Sequence, residues 1–357
     1  MKELILLSKK EMDTLAANTA AVENLRARVT GEDAALEIKA LVDLAPTGPY
    51  TATGHTQDTQ SEILRTQGVV AYRAALLYQL TGDTAHAKRA QYIIDRWSRT
   101  LRRIEGLQAQ SVIAFHFPLY VIAAGWVRGV NKWSGNGFGD FCIDRILPMT
   151  RRTYKNNIAA WWCALEAAIY SYTNNYNGLR KTSALWRYQV MAQVCSTYES
   201  TGSICYSPYT TDIAAEEPRR YVLPDEVSRS DSSDFHGGAT KGKKGLDYTH
   251  FALHAWTLAA EILLKEGDNV YDTDEAAVFE QAFYKTVGWV KTPSTFPYYA
   301  LNGGVLTNVT KCGYFAPLCE RFTGSGISDA LTLLASPIIG YEYQLDFLFG
   351  GRWNLPD

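Results

Sequence analysis

The strongest constraint on the fold is a repeat of apolar residues at spacings of three and four, which places them on one face of an α-helix. Gly82 and Gly267 follow two of the repeating segments as C-terminal glycines, and Asp272 with Glu275 forms a capping-box pattern before the last segment. An all-α fold is therefore expected. The repeat predicts at least eight helices, over residues 63–80, 85–101, 107–127, 138–150, 157–173, 183–198, 246–264 and 274–290.

The predicted helices follow one another through short turns, and helices joined in this way pack as antiparallel hairpins. The segment 157–173 is apolar around much of its circumference, which indicates neighbours on two sides. Two layers of helices satisfy this requirement better than a simple bundle does. We therefore expect an incomplete (α/α) toroid over residues 45–357, continuous with an N-terminal helical segment over residues 1–44.

Three long segments interrupt the helical repeat, at residues 45–55, 201–244 and 292–314. Long segments without regular structure in a compact domain are usually functional, and in a toroid they gather at the mouth of a cleft. Flat aromatic rings in such loops suit stacking on sugar rings. The residues that we expect to contact a sugar there are Tyr50, His55 and Tyr206.

Composition excludes several classes of partner. The chain has 357 residues, 46% of them hydrophobic, and a net charge of −2, so it has a sizeable core and no overall basic field for nucleic acid or anionic membranes. No apolar run approaches the roughly 18 residues of a membrane span, and the N-terminal run 4–7 is too short for a secretion signal. Action outside the cell would then need another route, such as release with a bacteriophage.

Neither a metal nor another cofactor is expected. The six cysteines have no metal-ligand spacing and are predicted to be mostly buried thiols, although Cys195 with Cys205 or Cys312 with Cys319 could close short loops under oxidising conditions. His250 lies four residues before His254, but the pair lacks a third ligand.

Three segments carry groups suited to chemistry on an acidic sugar. Asn156-Asn157 opens the aromatic helix, Leu223-Pro-Asp-Glu-Val-Ser-Arg229 supplies a fixed cation, and Gly245-Leu-Asp-Tyr-Thr-His-Phe-Ala-Leu253 places a phenol and an imidazole at the start of an apolar helix. In this order, over roughly residues 45–345, the segments resemble the alginate lyase family of polysaccharide lyases. The resemblance implies an incomplete (α/α) toroid and cleavage of a uronate polymer, without a cofactor, by β-elimination.

The resemblance also implies roles for individual residues. Tyr248 takes the place of the catalytic tyrosine, Asn157 of the amide that neutralises the substrate carboxylate, and Arg229 of the family's arginine. An insertion of roughly a dozen residues separates Arg229 from Tyr248; if it is ordinary loop and the family's spacing to the tyrosine is kept, Lys241 stands in the arginine's place instead.

The chain departs from the family at Ile158 and Thr249, where the family has histidines. We expect His250, or alternatively His116, to take over the missing work of neutralising charge or relaying the proton. The remaining residues that we expect to contact an acidic polysaccharide are Lys241, Lys244, Asn156 and Trp161.

The chemistry explains why these residue types are needed. A β-elimination removes the weakly acidic C5 proton of a uronate, so donors must stabilise the negative charge that grows on its carboxylate. A phenol, with an ordinary pKa of about 10, can act as base and then as acid when nearby cations favour its ionised form.

Two other functions are compatible with the sequence. A glycoside hydrolase on an α/α barrel would need two carboxylates about 5–9.5 Å apart. A carbohydrate-binding protein could keep the fold without the chemistry, because fold does not imply function. The carboxylates available to a hydrolase are Asp58 with Glu62, Glu216 with Glu217, Asp225 with Glu226, and Asp247.

Overall fold

The structure is a computed structural model that describes residues 5–7, 9–46, 59–150, 156–194, 213, 220–232, 234–307, 309 and 312–334. Regular structure in these residues is almost entirely helical. The described residues divide into two compact units, one of those up to residue 150 together with 164–180, and one of residues 156–163 together with those from 181 to 334. Two helices, α8 (Asn157–Tyr172) and α9 (Tyr176–Gln193), contribute residues to both units.

The first unit is built around α4, which packs against both α5 and α6. Buried polar groups fix these contacts: the Trp97 indole donates to the Gln67 side chain over 2.9 Å, and the Tyr120 hydroxyl donates to the Leu64 carbonyl over 2.8 Å. Helix α6 is long and apolar enough to cross a membrane, but most of it is buried, as in a core helix. The elements of this unit are α1 (Lys9–Ala17), α2 (Thr19–Thr30), α3 (Glu32–Ala35), α4 (Thr59–Thr81), α5 (Thr84–Thr100), α6 (Gly106–Val127), α7 (Asn136–Phe141) and the paired strands β1 (Asp43–Leu44) and β2 (Arg103–Ile104).

The second unit is centred on α11 (Gly245–Lys265), whose residues from position 249 to 263 are all buried. A helix that is surrounded on all sides is apolar over most of its circumference, and the few polar side chains that this one buries need partners, such as Arg321 for Glu261. Two indoles join it to α9, because Trp186 donates to the Trp256 carbonyl over 2.9 Å and Trp256 donates to the Gln189 side chain over 3.1 Å. The remaining helices are α10 (Pro224–Val227), α12 (Asp274–Lys291), α13 (Phe315–Arg321) and α14 (Ile327–Leu334).

Six of the eight predicted helices are confirmed to within a few residues; the helix predicted over 183–198 begins earlier, at Tyr176, and ends at Gln193, and the one predicted over 138–150 is broken. The segment 138–150 is α-helical only to Phe141 and continues as a π turn over Cys142–Ile146 and a 3₁₀ turn over Leu147–Met149. Pro148 contributes to this change, because proline has no backbone N–H for an α-helical bond. Gly82 and Gly267 have left-handed φ angles of 73° and 88°, as expected of glycines that end helices.

The predicted capping box at Asp272 and Glu275 is wrong. Asp272 ends a 3₁₀ turn, Val270–Asp272, that Asn269 caps through its side chain, and the N-cap of α12 is Thr273. The Asp272 carboxylate is used within that turn, where it accepts from the Asn269 amide over 2.7 Å.

Gly245, the first residue of α11, lets this helix start directly against α10. A Cβ atom at this position would lie 2.1 Å from the Val227 carbonyl oxygen and 2.8 Å from the Phe296 ring. Both the backbone oxygen and the packed ring resist displacement. The glycine therefore sets the distance between α10 and the first turn of α11.

We predict that Gly245→Ala lowers the free energy of unfolding by about 1–3 kcal/mol, because the added methyl group forces α10 and α11 apart. Urea denaturation followed by circular dichroism measures this change. Gly288→Ala in α12 is the matched control: nothing lies within 4 Å of its Cβ position, so the substitution should stabilise the helix. Equal effects of the two substitutions would contradict the prediction.

Candidate functional site

The centre of the candidate site is the buried carboxylate of Glu226 in α10. It accepts a hydrogen bond from the backbone N–H of Asn157, and its two oxygens lie 3.1 and 3.0 Å from the Asn157 side-chain nitrogen. A carboxylate at this place satisfies a free N–H at the start of α8 and interacts favourably with the helix dipole. Glu226 thus joins α10 to the N-terminus of α8.

The two asparagines that open α8 have different tasks. The Asn156 side-chain oxygen accepts from the Ile158 N–H over 3.1 Å, so this residue caps the helix. The Asn157 amide must turn its NH₂ group toward Glu226, because a carboxylate only accepts hydrogen bonds. Glu226 therefore fixes the orientation of the amide that we expect to neutralise the substrate carboxylate.

Arg229 lies between two carboxylates and a tyrosine ring. Its Nη2 atom lies 2.5 Å from Asp225 Oδ2, its Nε atom 3.8 Å from Glu226 Oε2, and its guanidinium carbon 5.4 Å from the centre of the Tyr248 ring. Burial lowers the pKa of Arg229, but the charges of Glu226 and Asp225 outweigh burial and raise it. Arg229 is therefore a permanent cation whose guanidinium stands beside the Tyr248 phenol.

Burial also raises the pKa of Glu226 to about 7, although the neighbouring Arg229 and the bonds from Asn157 oppose this shift. Taking a carboxylate out of water disfavours its charged form. Glu226 consequently changes its charge near neutral pH, in contact with Asn157 and 3.8 Å from Arg229.

Tyr248 is half-buried on the first turn of α11, where its N–H bonds to the Lys244 carbonyl over 3.0 Å. The preceding loop folds back on α10, because the N–H of Lys244 bonds to the Arg229 carbonyl, also over 3.0 Å. The structure therefore brings together Arg229, Lys244 and Tyr248, although the insertion separates the arginine from the tyrosine in sequence.

The other lysines of this loop contact neighbouring groups. Lys243 forms a 2.7 Å ion pair with Asp231. The Lys241 ammonium lies 5.2 Å from the centre of the Tyr298 ring, and its backbone carbonyl accepts from the Asn302 amide over 2.8 Å. Lys241 and Lys244 are only partly buried.

His250 is not placed beside Tyr248. Residues two apart on a helix point to nearly opposite sides, and the His250 ring is fully buried. Its Nε2 atom lies 3.0 Å from the Val309 carbonyl, which can only accept, so Nε2 carries the proton and the neutral ring accepts from the Tyr314 hydroxyl at Nδ1 over 3.0 Å. Both ring nitrogens thus have protein partners.

The structure also places Trp161 and His116 inside the protein. Trp161 is fully buried against Phe251 and His254, with ring centres 5.0 and 5.7 Å away, and exposes no face to a sugar. Burial, with a smaller effect of Arg65, lowers the pKa of His116 to about 3. Tyr50, His55 and Tyr206 lie outside the described residues.

Within the described parts of the chain, no three His, Cys, Asp or Glu residues are close enough to share a metal ion. Cys312 is a buried free thiol and Cys319 a partly exposed one, so the loop closure considered for this pair is not formed. Cys195 and Cys205 lie outside the residues that the structure describes.

Sequence analysis missed two residues of this site. The sequence analysis considered Glu226 only as one carboxylate of a possible hydrolase pair, although the Leu-Pro-x-Glu motif itself contains this glutamate. His236 did not enter it at all; it lies in the insertion, where its Nδ1 atom is 2.9 Å from the Ser228 hydroxyl and its Nε2 atom 3.6 Å from Asp225. No periodicity marks this position in the sequence.

Comparisons with known proteins agree with the predicted resemblance. The sequence model of the alginate lyase family matches residues 221–296, which include Glu226, Arg229 and Tyr248. A search of curated proteins finds no match to this chain.

Solved structures show the same fold. An alginate lyase from Bacteroides ovatus has a TM-score of 0.67 at 12% identity, with all of both chains covered. Alginate lyase A1-III from Sphingomonas species A1 has a TM-score of 0.59 at 12% identity over 94% of this chain and 95% of that one, and a variant of A1-III in complex with a tetrasaccharide has a TM-score of 0.60 at 11% identity over 94% of each. These similarities confirm the predicted all-α toroid and, with the family match, support a polysaccharide lyase.

We predict that the buried carboxylate makes stability depend on pH. Glu226 holds its proton up to about pH 7 in the folded chain, against an ordinary value of 4.5, so the folded state binds more protons between these values. Its stabilising effect is complete below the lower value and is lost as the pH rises through the upper one, with a slope of at most about 1.4 kcal/mol per pH unit.

Urea denaturation of the wild type and Glu226→Gln between about pH 5 and pH 8 measures this effect. The wild type should lose stability relative to the variant as the pH rises, because glutamine does not titrate. Glu37→Gln, at a residue whose side chain is 75% exposed, is the control and should run parallel to the wild type. A parallel curve for Glu226→Gln would contradict the prediction.

Proposed function

We propose that the protein is a polysaccharide lyase that cleaves a uronate-containing polymer by β-elimination. The observation that carries the proposal is the position of the Arg229 guanidinium, 5.4 Å from the centre of the Tyr248 ring, within the segment that matches the alginate lyase family. A fixed cation beside a phenol favours the phenolate, which is the form that removes a proton.

Tyr248 is the proposed base and acid. Its position on the first turn of α11, half-buried, gives the phenol access to a substrate while the backbone holds it in place. The phenolate takes the C5 proton of the uronate, electrons move to form the C4–C5 double bond, and the glycosidic oxygen leaves with a proton from the phenol. A group that acts first as base and then as acid completes the reaction without a cofactor.

The negative charge that develops on the substrate carboxylate needs separate donors. Asn157 is buried and turns its NH₂ group to Glu226, so the donors proposed for the substrate carboxylate are the partly buried Lys241 and Lys244. Arg229 already compensates Asp225 and Glu226, so we propose that it acts mainly on Tyr248. Lys241 then takes the role that family resemblance gives to an arginine.

The acidic nature of the substrate follows from the same charges. Lysine cations next to a phenol base suit a polymer with a carboxylate beside the acidic carbon. The relatives named above are alginate lyases, and one of them is seen with a tetrasaccharide. We therefore propose alginate or a related acidic exopolysaccharide as the substrate class.

The geometry does not favour the hydrolase alternative at Asp225 and Glu226. Glu226 is 1% exposed and bonded to Asn157, and Asp225 is ion-paired with Arg229. A hydrolase needs both carboxyl groups open to the sugar on either side of the bond. Asp58, Glu216 and Glu217 lie outside the described residues.

We predict that Tyr248→Phe lowers kcat on a cleaved uronate polymer by at least about 100-fold, because loss of a general acid–base group has an effect of this size. The ultraviolet absorbance of the unsaturated uronate product measures the rate. KM should change little, since the ring remains in place.

Tyr92→Phe is the matched control, because Tyr92 is a 53% exposed tyrosine of α5 and should be replaceable without loss of activity. Reducing ends that form without absorbing product would identify a hydrolase. Binding of acidic polymers with no product of either kind would identify a carbohydrate-binding protein.

A further inference from the structure

The insertion before Tyr248 contains a histidine that contacts the candidate site. His236 is half-buried, and its backbone N–H lies 3.3 Å from the Asp234 carboxylate. The ends of the loop are closed by the bond from the Ser230 N–H to the Phe235 carbonyl over 2.8 Å. The ring is thereby held against the end of α10.

The hydrogen bonds of Ser228 determine which ring nitrogen carries the proton. The Ser228 hydroxyl donates its one proton to the Pro224 carbonyl over 2.9 Å, so its oxygen accepts from His236 Nδ1. The Nε2 atom, which faces Asp225 at 3.6 Å, then carries the lone pair in the neutral ring. At this distance the neutral ring makes no hydrogen bond to Asp225.

Asp225 is shared between two possible cations. One carboxylate oxygen is 2.5 Å from Arg229 and the other is 3.6 Å from His236. When His236 is neutral, the charge of Asp225 offsets Arg229 alone. When His236 is protonated, the imidazolium takes part of that charge, and the site as a whole gains one positive charge.

We propose that His236 acts through Asp225: its charge decides how far this carboxylate offsets Arg229, and thereby sets how strongly the site attracts an acidic substrate. The substrate part of this inference rests on the proposed function. The contact from His236 through Asp225 to Arg229 is independent of it.

The groups that face the ring give the direction of the pH dependence. Burial lowers the pKa of His236 most, and the Arg229 and Lys241 cations lower it further, whereas the carboxylates of Asp225 and Asp234 raise it. The net pKa of His236 is below the ordinary histidine value, so the ring gains its proton on the acidic side of that value. Substrate attraction should therefore be stronger there than at neutral pH.

The first experiment needs no substrate. Histidine proton signals in the NMR spectrum are followed against pH, and the signal absent from His236→Asn identifies His236. Its pKa should fall in Asp225→Asn and rise in Arg229→Gln, in each case by about half a pH unit or more. A His236 pKa that is unchanged in both variants would overturn the proposal.

The second experiment measures KM and kcat for alginate against pH. The asparagine of His236→Asn keeps a donor where Nδ1 lies and removes the titrating nitrogen. Wild-type KM should rise about fivefold as His236 loses its proton, beyond any change that the titration of Glu226 causes in both proteins, whereas the variant should lack this rise and equal the wild type at higher pH. An unchanged KM profile in the variant would also overturn the proposal.

The matched control is His86→Asn in the other compact unit. His86 has nearly the same surroundings, with Nε2 3.6 Å from Asp83 and 16% side-chain exposure against 17% for His236. It should leave the KM profile as it is in the wild type. If the wild type forms no unsaturated product from alginate, alginate is excluded as substrate and the NMR titration alone decides the role of His236.

Discussion

The candidate site depends on the bond between a buried carboxylate and the start of a helix. Glu226 accepts from both the backbone and the side chain of Asn157, and it is 3.8 Å from Arg229. A carboxylate buried without such partners would be very costly; here Asn157 and a guanidinium offset part of that cost, and the rest raises the pKa of Glu226. One residue thus contacts both the Asn157 amide and the Arg229 guanidinium that lies over the Tyr248 ring.

Arg229 and the two loop lysines, Lys241 and Lys244, are suited to different tasks. Arg229 stands between Asp225 and Glu226, so its charge is largely offset before any substrate arrives. Lys241 and Lys244 in the insertion are partly buried, as Arg229 is, but no carboxylate pair encloses them among the ion pairs of the described residues. A buried arginine suits the fixed task of stabilising a phenolate, and flexible lysines suit contacts with a polymer that must enter and leave.

The sequence predicted the helices because each is a local pattern, and it predicted the Tyr248 segment because the motif is continuous along one helix. It missed the role of Glu226, which depends on a contact between residues 69 positions apart. Sequence analysis also assigned a role to His250 because this residue is close to Tyr248 in sequence. Two residues further along a helix, however, the side chain points to the opposite side. The site depends on contacts between residues that are far apart in the chain. The periodicity of a single segment does not reveal such contacts.

The departures from the family at Ile158 and Thr249 limit where a substitute for the lost histidines can come from. Thr249 is fully buried and its hydroxyl bonds back to the Gly245 carbonyl over 2.8 Å, so this position now serves α11 itself. Ile158, on the first turn of α8, has no titratable group. A replacement must therefore reach the site from another segment.

Among the described histidines, His236 lies within the segment that contacts Arg229, because its loop begins directly after that residue and folds back on α10. The titrating group of the insertion, His236, acts on Arg229 through the Asp225 carboxylate. It can therefore change substrate affinity without moving the phenol, since the backbone of α11 and the close contact at Gly245 hold Tyr248 in place.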